Sequence, residues 1–159
     1  QGIFGKPRKL VTDATKRLCS AINEGEPKST VKYILMNTVG NRNRDLPEKI
    51  SFSEKCIIWL LRLLVPPHID NEEAADFLRT KIGQNDNTIK WVVVRPSSLI
   101  DEEDVSEYKT HSSPTRSAIF NDGKVSRVNV AAFMNKLITD QNLWEKWKGQ
   151  MPVIYNKEI

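Results

Sequence analysis

Apolar residues recur at Val11, Ala14, Leu18, Ala21 and Ile22, the three-and-four spacing of an amphipathic helix. Thr12 or Asp13 can cap it, and Gly25 with Pro27 stops it. Residues 31–36 (VKYILM) are a short run of β-branched and aromatic side chains, which predicts a buried strand. Asn37, Thr38, Val39 and Gly40 then open a loop that polar residues 41–49 (NRNRDLPEK) prolong.

Ser51 followed three residues later by Glu54 spells a capping box. It opens an apolar helix through residue 65, where Pro66 and Pro67 end it. Its most apolar stretch, residues 56–65 (CIIWLLRLLV), is roughly half the ~20 residues a membrane-spanning helix needs and carries Arg62 in its middle; it predicts a buried helix. Asp70 with Glu73 repeats the capping spelling, opening a helix through Ala74, Ala75, Phe77, Leu78 and Ile82 that Gly83 stops. Residues 89–94 (IKWVVV) read as a strand covered on both faces, broken at Arg95-Pro96. Residues 101–107 (DEEDVSE) form an acidic loop, and residues 117–120 and 124–127 around Asn121-Asp122-Gly123 predict a small hairpin. Val130, Phe133, Met134, Leu137 and Ile138 mark a helix, Trp144 and Trp147 lie on the segment after it, and residues 152–155 (PVIY) are a last short strand.

Long helices alternating with short, solidly apolar strands predict an α/β fold: a doubly wound, mostly parallel sheet in a single domain over residues 1–159. The series opens on a helix and holds few strands for such a sheet: either the sheet is unusually small, or strands belonging to it precede residue 1. At 159 residues and 39% hydrophobic content the chain suits one core, not a disordered segment. Cys19 and Cys56 are the only cysteines, without metal-ligand spacing; a reducing, cytoplasmic compartment is expected, an organellar one being the alternative, and both cysteines read as small core residues.

The formal net charge of +4 invites a nucleic-acid partner, but its distribution argues otherwise. Residues 1–50 hold ten Lys/Arg against five Asp/Glu, residues 51–110 seven against eleven, and residues 111–159 seven against four. No basic run with interleaved aromatics and no nucleic-acid-binding motif occurs. A membrane partner is likewise not expected.

In open α/β sheets ligands bind beyond the carboxyl ends of the strands. Here those ends are Asn37-Thr38-Val39-Gly40 and Arg95-Pro96-Ser97-Ser98, small polar side chains at sharp backbone changes, suited to a flat or phosphorylated ligand. His68, behind the stiff Pro66-Pro67 approach, is the candidate for proton transfer; His111 carries no pattern. No glycine-rich dinucleotide turn, P-loop, nucleophile elbow or metal-ligand spacing is present in these 159 residues.

The strand 31–41 (VKYILMNTVGN), the helix 72–79 (EEAADFLR), the strand and turn 89–99 (IKWVVVRPSSL) and the segment 126–138 (SRVNVAAFMNKLI) together resemble the C-terminal part of the atypical short-chain dehydrogenase/reductase family, the NmrA-like NAD(P)-binding Rossmann proteins. The resemblance implies a Rossmann-type doubly wound parallel sheet lacking its N-terminal β-α-β units. It also implies a full-length protein of about 230 to 260 residues, with the glycine-rich turn in the missing part. Members of the wider superfamily use a Ser/Thr after the strand here matched by residues 31–36, and a Tyr-x-x-x-Lys pair on the next helix. Thr38 stands at the first position, while the Tyr and Lys positions fall on His68 and Glu72.

On this resemblance the chain is an NAD(P)-binding oxidoreductase passing hydride from NADPH to a small carbonyl or quinone-like acceptor. NADP is preferred over NAD, Thr38 and His68 are catalytic, and Asn37, Thr38, Arg95, Pro96, Ser97 and Ser98 contact the cofactor. The rival reading is a non-catalytic module that senses the dinucleotide and signals to a protein partner, favoured by His68 and Glu72 in the Tyr and Lys places.

Overall fold

The structure, a computed structural model, describes residues 5–157. Helix α1 (Leu10–Glu24) leads into strand β1 (Val31–Met36), then α2 (Phe52–Leu64), α3 (Pro66–Phe77), and a π-helical turn Leu78–Ile82. There follow β2 (Ile89–Pro96), β3 (Ser98–Ile100), β4 (Tyr108–His111), β5 (Lys124–Ser126), α4 (Arg127–Thr139), α5 (Gln141–Trp147) and β6 (Val153–Asn156). Strands β1, β2 and β6 are parallel neighbours and β4 closes the sheet antiparallel on β6, giving the order β1-β2-β6-β4. Among the described residues no helix is long and apolar enough to cross a membrane.

The unbroken apolar run of β2 follows from its central place. Val92 and Val94 face one cluster with Val130, Phe133, Leu137, Trp144, Trp147 and Ile154, under α4 and α5. Ile89, Trp91 and Val93 face a second with Cys19, Ala75, Leu78 and Met151, under α1, α3 and the π turn. Because side chains alternate along a strand, both sheet faces are covered and every second residue has a core to enter. This is the expected α/β fold with a mostly parallel sheet. Trp144 and Trp147 are core residues of α5, and Gly83 ends the third helical segment at a φ of 70° that favours glycine.

Several local expectations fail for identifiable reasons. The capping box at Ser51 and Glu54 forms, with Glu54 N donating to Ser51 Oγ at 3.2 Å and Ser51 N to Glu54 Oε2 at 3.0 Å. The helix it opens, however, is not buried: of α2 only Glu54 and Ile58 are covered, while Phe52, Trp59, Leu63 and Leu64 are exposed, Trp59 at 63%. Its chief neighbour is α3, not the sheet, so an apolar composition did not earn it a place in the core. Cys56, expected as a core residue, is accordingly exposed.

Asp70 does not cap its own helix. Prolines tolerated in a first turn let α3 start at Pro66, which places Asp70 one turn inside. Its carboxylate instead accepts from Val11 N and Thr12 N, both at 2.8 Å. It thereby caps α1, which begins earlier than its own Thr12 or Asp13 would allow. The 117–127 hairpin is also absent: residues 118–120 form a turn, and β5 pairs in parallel with β3. Strand β2 runs on through Arg95 and Pro96, which pair with Val153 and Ile154.

Candidate functional site

At the carboxyl ends of β1 and β2 the chain keeps its sheet pairing for a few residues beyond β1. Asn37 N donates to Val94 O at 2.8 Å and Val39 N to Pro96 O at 2.9 Å, while Ser97 N reaches Ile154 O at 3.3 Å. The small polar residues expected to form the site therefore sit side by side. Asn37 is buried and braced, donating through Nδ2 to Asn71 O of α3 at 2.8 Å and accepting Thr38 N on Oδ1 at 2.9 Å. Thr38 is half-buried; its Oγ1 lies 3.4 Å from the Gly40 N that donates to it.

His68 comes to the same place from α3. A Cβ at Gly40 would lie 3.8 Å from His68 Cε1 and 3.9 Å from Thr38 Oγ1, so the imidazole and the threonine hydroxyl, thirty residues apart in the chain, both lie close to Gly40. His68 is 11% exposed, and its buried Nε2 lies 3.5 Å from Glu72 Oε1, long for a hydrogen bond. Glu72 is gripped from α2 by Arg62, Nε to Oε2 at 2.8 Å and Nη2 to Oε1 at 2.9 Å, and Arg44 stands 3.9 Å away. Burial alone would raise the Glu72 carboxyl; His68 and the Arg62 guanidinium outweigh it and hold the group down at about 2.

Arg95, expected among the cofactor contacts, is placed differently. It is 0% exposed, and its guanidinium is taken up by protein acceptors: Met151 O and Asn41 O at 2.8 Å, Glu48 Oε1 at 2.7 Å and Ser112 O at 3.2 Å. Glu48 in turn accepts Asn43 N on Oε2 at 3.0 Å. The side chain thus ties the loop after β1, and the segment at residue 112, to the sheet beneath the crevice. Pro96 is buried in β2. Ser98 is exposed and donates to Asp122.

Ser97 has a different character. It is 5% exposed, and its hydroxyl finds no hydrogen-bond partner among the described residues. A buried hydroxyl left unmatched costs on the order of 1–3 kcal/mol, so this one is a ready acceptor or donor for a polar ligand group at the strand end. With Asn37, Thr38 and the adjoining backbone, it is a polar group that could hold part of a bound cofactor. By contrast, burial pushes the Cys19 thiol up to about 11, which keeps it protonated and unsuited to nucleophilic chemistry. Sequence reasoning missed Arg62 and Glu48 as supports of the site. The lone charge inside an apolar run was the one signal for Arg62; nothing local marks Glu48.

The family described as NAD(P)H-binding matches residues 4–141. An oxidoreductase from Lactococcus lactis superposes with a TM-score of 0.61 over 99% of this chain and 60% of its own, at 16% identity. A wide-type short-chain dehydrogenase/reductase from Veillonella parvula, in complex with NADP, gives 0.59 over 91% and 58%, at 15% identity. An anaerobilin reductase from Escherichia coli O157:H7 gives 0.60 over 98% and 61%, at 19% identity. These likenesses show a shared Rossmann-type fold, and the chain spans about three fifths of each neighbour's length. No curated protein matches the chain in sequence.

Proposed function

This chain belongs to the NAD(P)H-binding family, and from that premise we propose that it forms the nicotinamide side of a reductase acting on a small carbonyl or quinone-like acceptor. The observation that carries the reading is the approach of both Thr38 and His68 to Gly40, with the unmatched Ser97 hydroxyl just beyond the end of the neighbouring strand β2. Bound there, the reduced dinucleotide supplies a hydride. Asn37 and Thr38 face the nicotinamide ribose and the acceptor, and the Pro96-Ser97-Ser98 backbone holds the carboxamide. His68 gives the acceptor oxygen its proton. Arg95 acts beneath these contacts, holding the loops that form them. NADP is the preferred form; these 159 residues hold no glycine-rich turn for the pyrophosphate.

The test titrates the full-length protein with NADPH and NADH, then follows oxidation of the bound reduced form against a panel of carbonyls and quinones. Saturable binding with acceptor-dependent turnover, lost by roughly a hundredfold in His68→Ala while binding persists, is the expected result. Binding without turnover against the whole panel overturns the reductase reading in favour of a non-catalytic dinucleotide sensor.

A further inference from the structure

Two residues near the crevice do work that the proposed reaction does not yet use: the buried carboxylate of Glu72 and the guanidinium of Arg62 that grips it. Glu72 lies four residues beyond His68 on α3, so the two side chains share one helix face. Both Glu72 oxygens are committed to Arg62, at 2.8 and 2.9 Å, and this fork fixes the plane of the carboxylate. Oε1 retains a second lone pair, and the atom 3.5 Å from it is His68 Nε2. That nitrogen is buried and has no other partner among the described residues.

We infer that Glu72 is a positioning residue for His68, with Arg62 of α2 as its anchor. The inference rests on His68 being the proton carrier of the proposed reaction. An Nε2–H held by Glu72 fixes the neutral imidazole in one tautomer and leaves Nδ1 as the nitrogen free to act. The proton balance is simple: the imidazolium gives its Nδ1 proton to the acceptor oxygen and becomes the neutral Nε2–H form, and solvent at its exposed edge restores the proton. The charged groups around this pair are Arg62 from α2, Arg44 from the loop after β1, and Asp76 one turn further along α3, where it pairs with Arg44 and Arg79. With two cations set against it, the Glu72 carboxyl stays ionised wherever the protein is folded at ordinary pH.

The relay is unlike a Tyr-x-x-x-Lys pair in its electrostatics. There a cation beside the proton donor favours release of the proton; here a carboxylate steadies the ring while Arg62 and Arg44 offset its charge, so that the imidazole is oriented without a strong net negative field. It also makes α2, through Arg62, part of the site.

The experiment uses full-length protein with ¹⁵N-labelled histidine, with the His68 signals assigned through a His68→Gln variant. In the wild type at alkaline pH the two ring nitrogens should report one fixed tautomer, protonated at Nε2. Glu72→Leu should give averaged signals, Glu72→Gln should restore the fixed pattern in part through its amide oxygen, and Arg62→Lys should move the signals in the same sense as Glu72→Leu without touching the ring. In turnover, kcat should fall roughly tenfold or more in Glu72→Leu, with the KM for NADPH within about twofold of wild type. Unchanged His68 signals in folded Glu72→Leu, or in Arg62→Lys should Glu72→Leu not fold, overturn the inference, as does a kcat that ignores a moved spectrum. Should the wild type reduce no acceptor while His68 still responds to Glu72, the reductase reading falls and the positioning stands.

Discussion

Arg95 shows how a residue at a strand end can organise distant loops from beneath the sheet's edge. Its planar fork is matched by four acceptors from segments that are far apart in the chain, one of them the Glu48 carboxylate. Removing one member of a buried pair strands the other, so Arg95→Met should lose about 3–5 kcal/mol of stability in urea unfolding. Adding Glu48→Met should cost less than the sum of the single changes, because the two share one interaction. Glu72 makes a pH-dependent contribution. Its carboxyl lies below the ordinary 4.5, at about 2 in the folded chain, so the stabilisation is complete above pH 4.5 and disappears as pH falls towards 2. Glu72→Gln should therefore be less stable than wild type by about 2 kcal/mol at pH 6, the partly exposed Arg62 discounting the full shift, and the difference should vanish on acidification; equal gaps at pH 6 and pH 2.5 would contradict the assignment.

At the scale of elements, helix ends and helix faces are settled by neighbours. Asp70 supplies α1 with the cap that Lys9 does not provide, and Thr12 returns the contact by donating its hydroxyl to Asp70 O at 2.9 Å. Asp70→Ala should cost about 1–2 kcal/mol and speed hydrogen exchange at the Val11 and Thr12 amides ahead of the rest of α1. Exchange rates unaltered there would place the cap elsewhere. Helix α2 was legible as a helix from its capping box and its Pro66-Pro67 stop, but its burial was not, because composition says nothing about which surface a helix meets. The short strands β3 and β4 escaped notice for a related reason: three residues of SLI and four of YKTH carry no usable period, and only their partners make them strands.

For the molecule as a whole, the central sheet separates two cores that meet only through β2 and its neighbours. Ile89 and Ile154 are both fully buried, one in each core, toward opposite ends of the sheet. Ile89→Val and Ile154→Val should each cost about 1 kcal/mol, and the double variant should equal their sum within about 0.5 kcal/mol; a larger discrepancy in unfolding midpoints would mean the two layers are coupled through the sheet. The chain by itself determined the elements whose signal is local: β1, β2 and β6 as apolar runs, and α1 and α4 by their spacing. Only the tertiary structure decided that Arg95 turns inward to Glu48, that Asp70 serves another helix, and that Glu72 is shared between Arg62 and His68. Periodicity reports which way a side chain faces along its own element, whereas these pairings depend on where distant elements come to rest, and a buried charge takes its role from whatever neutralises it there.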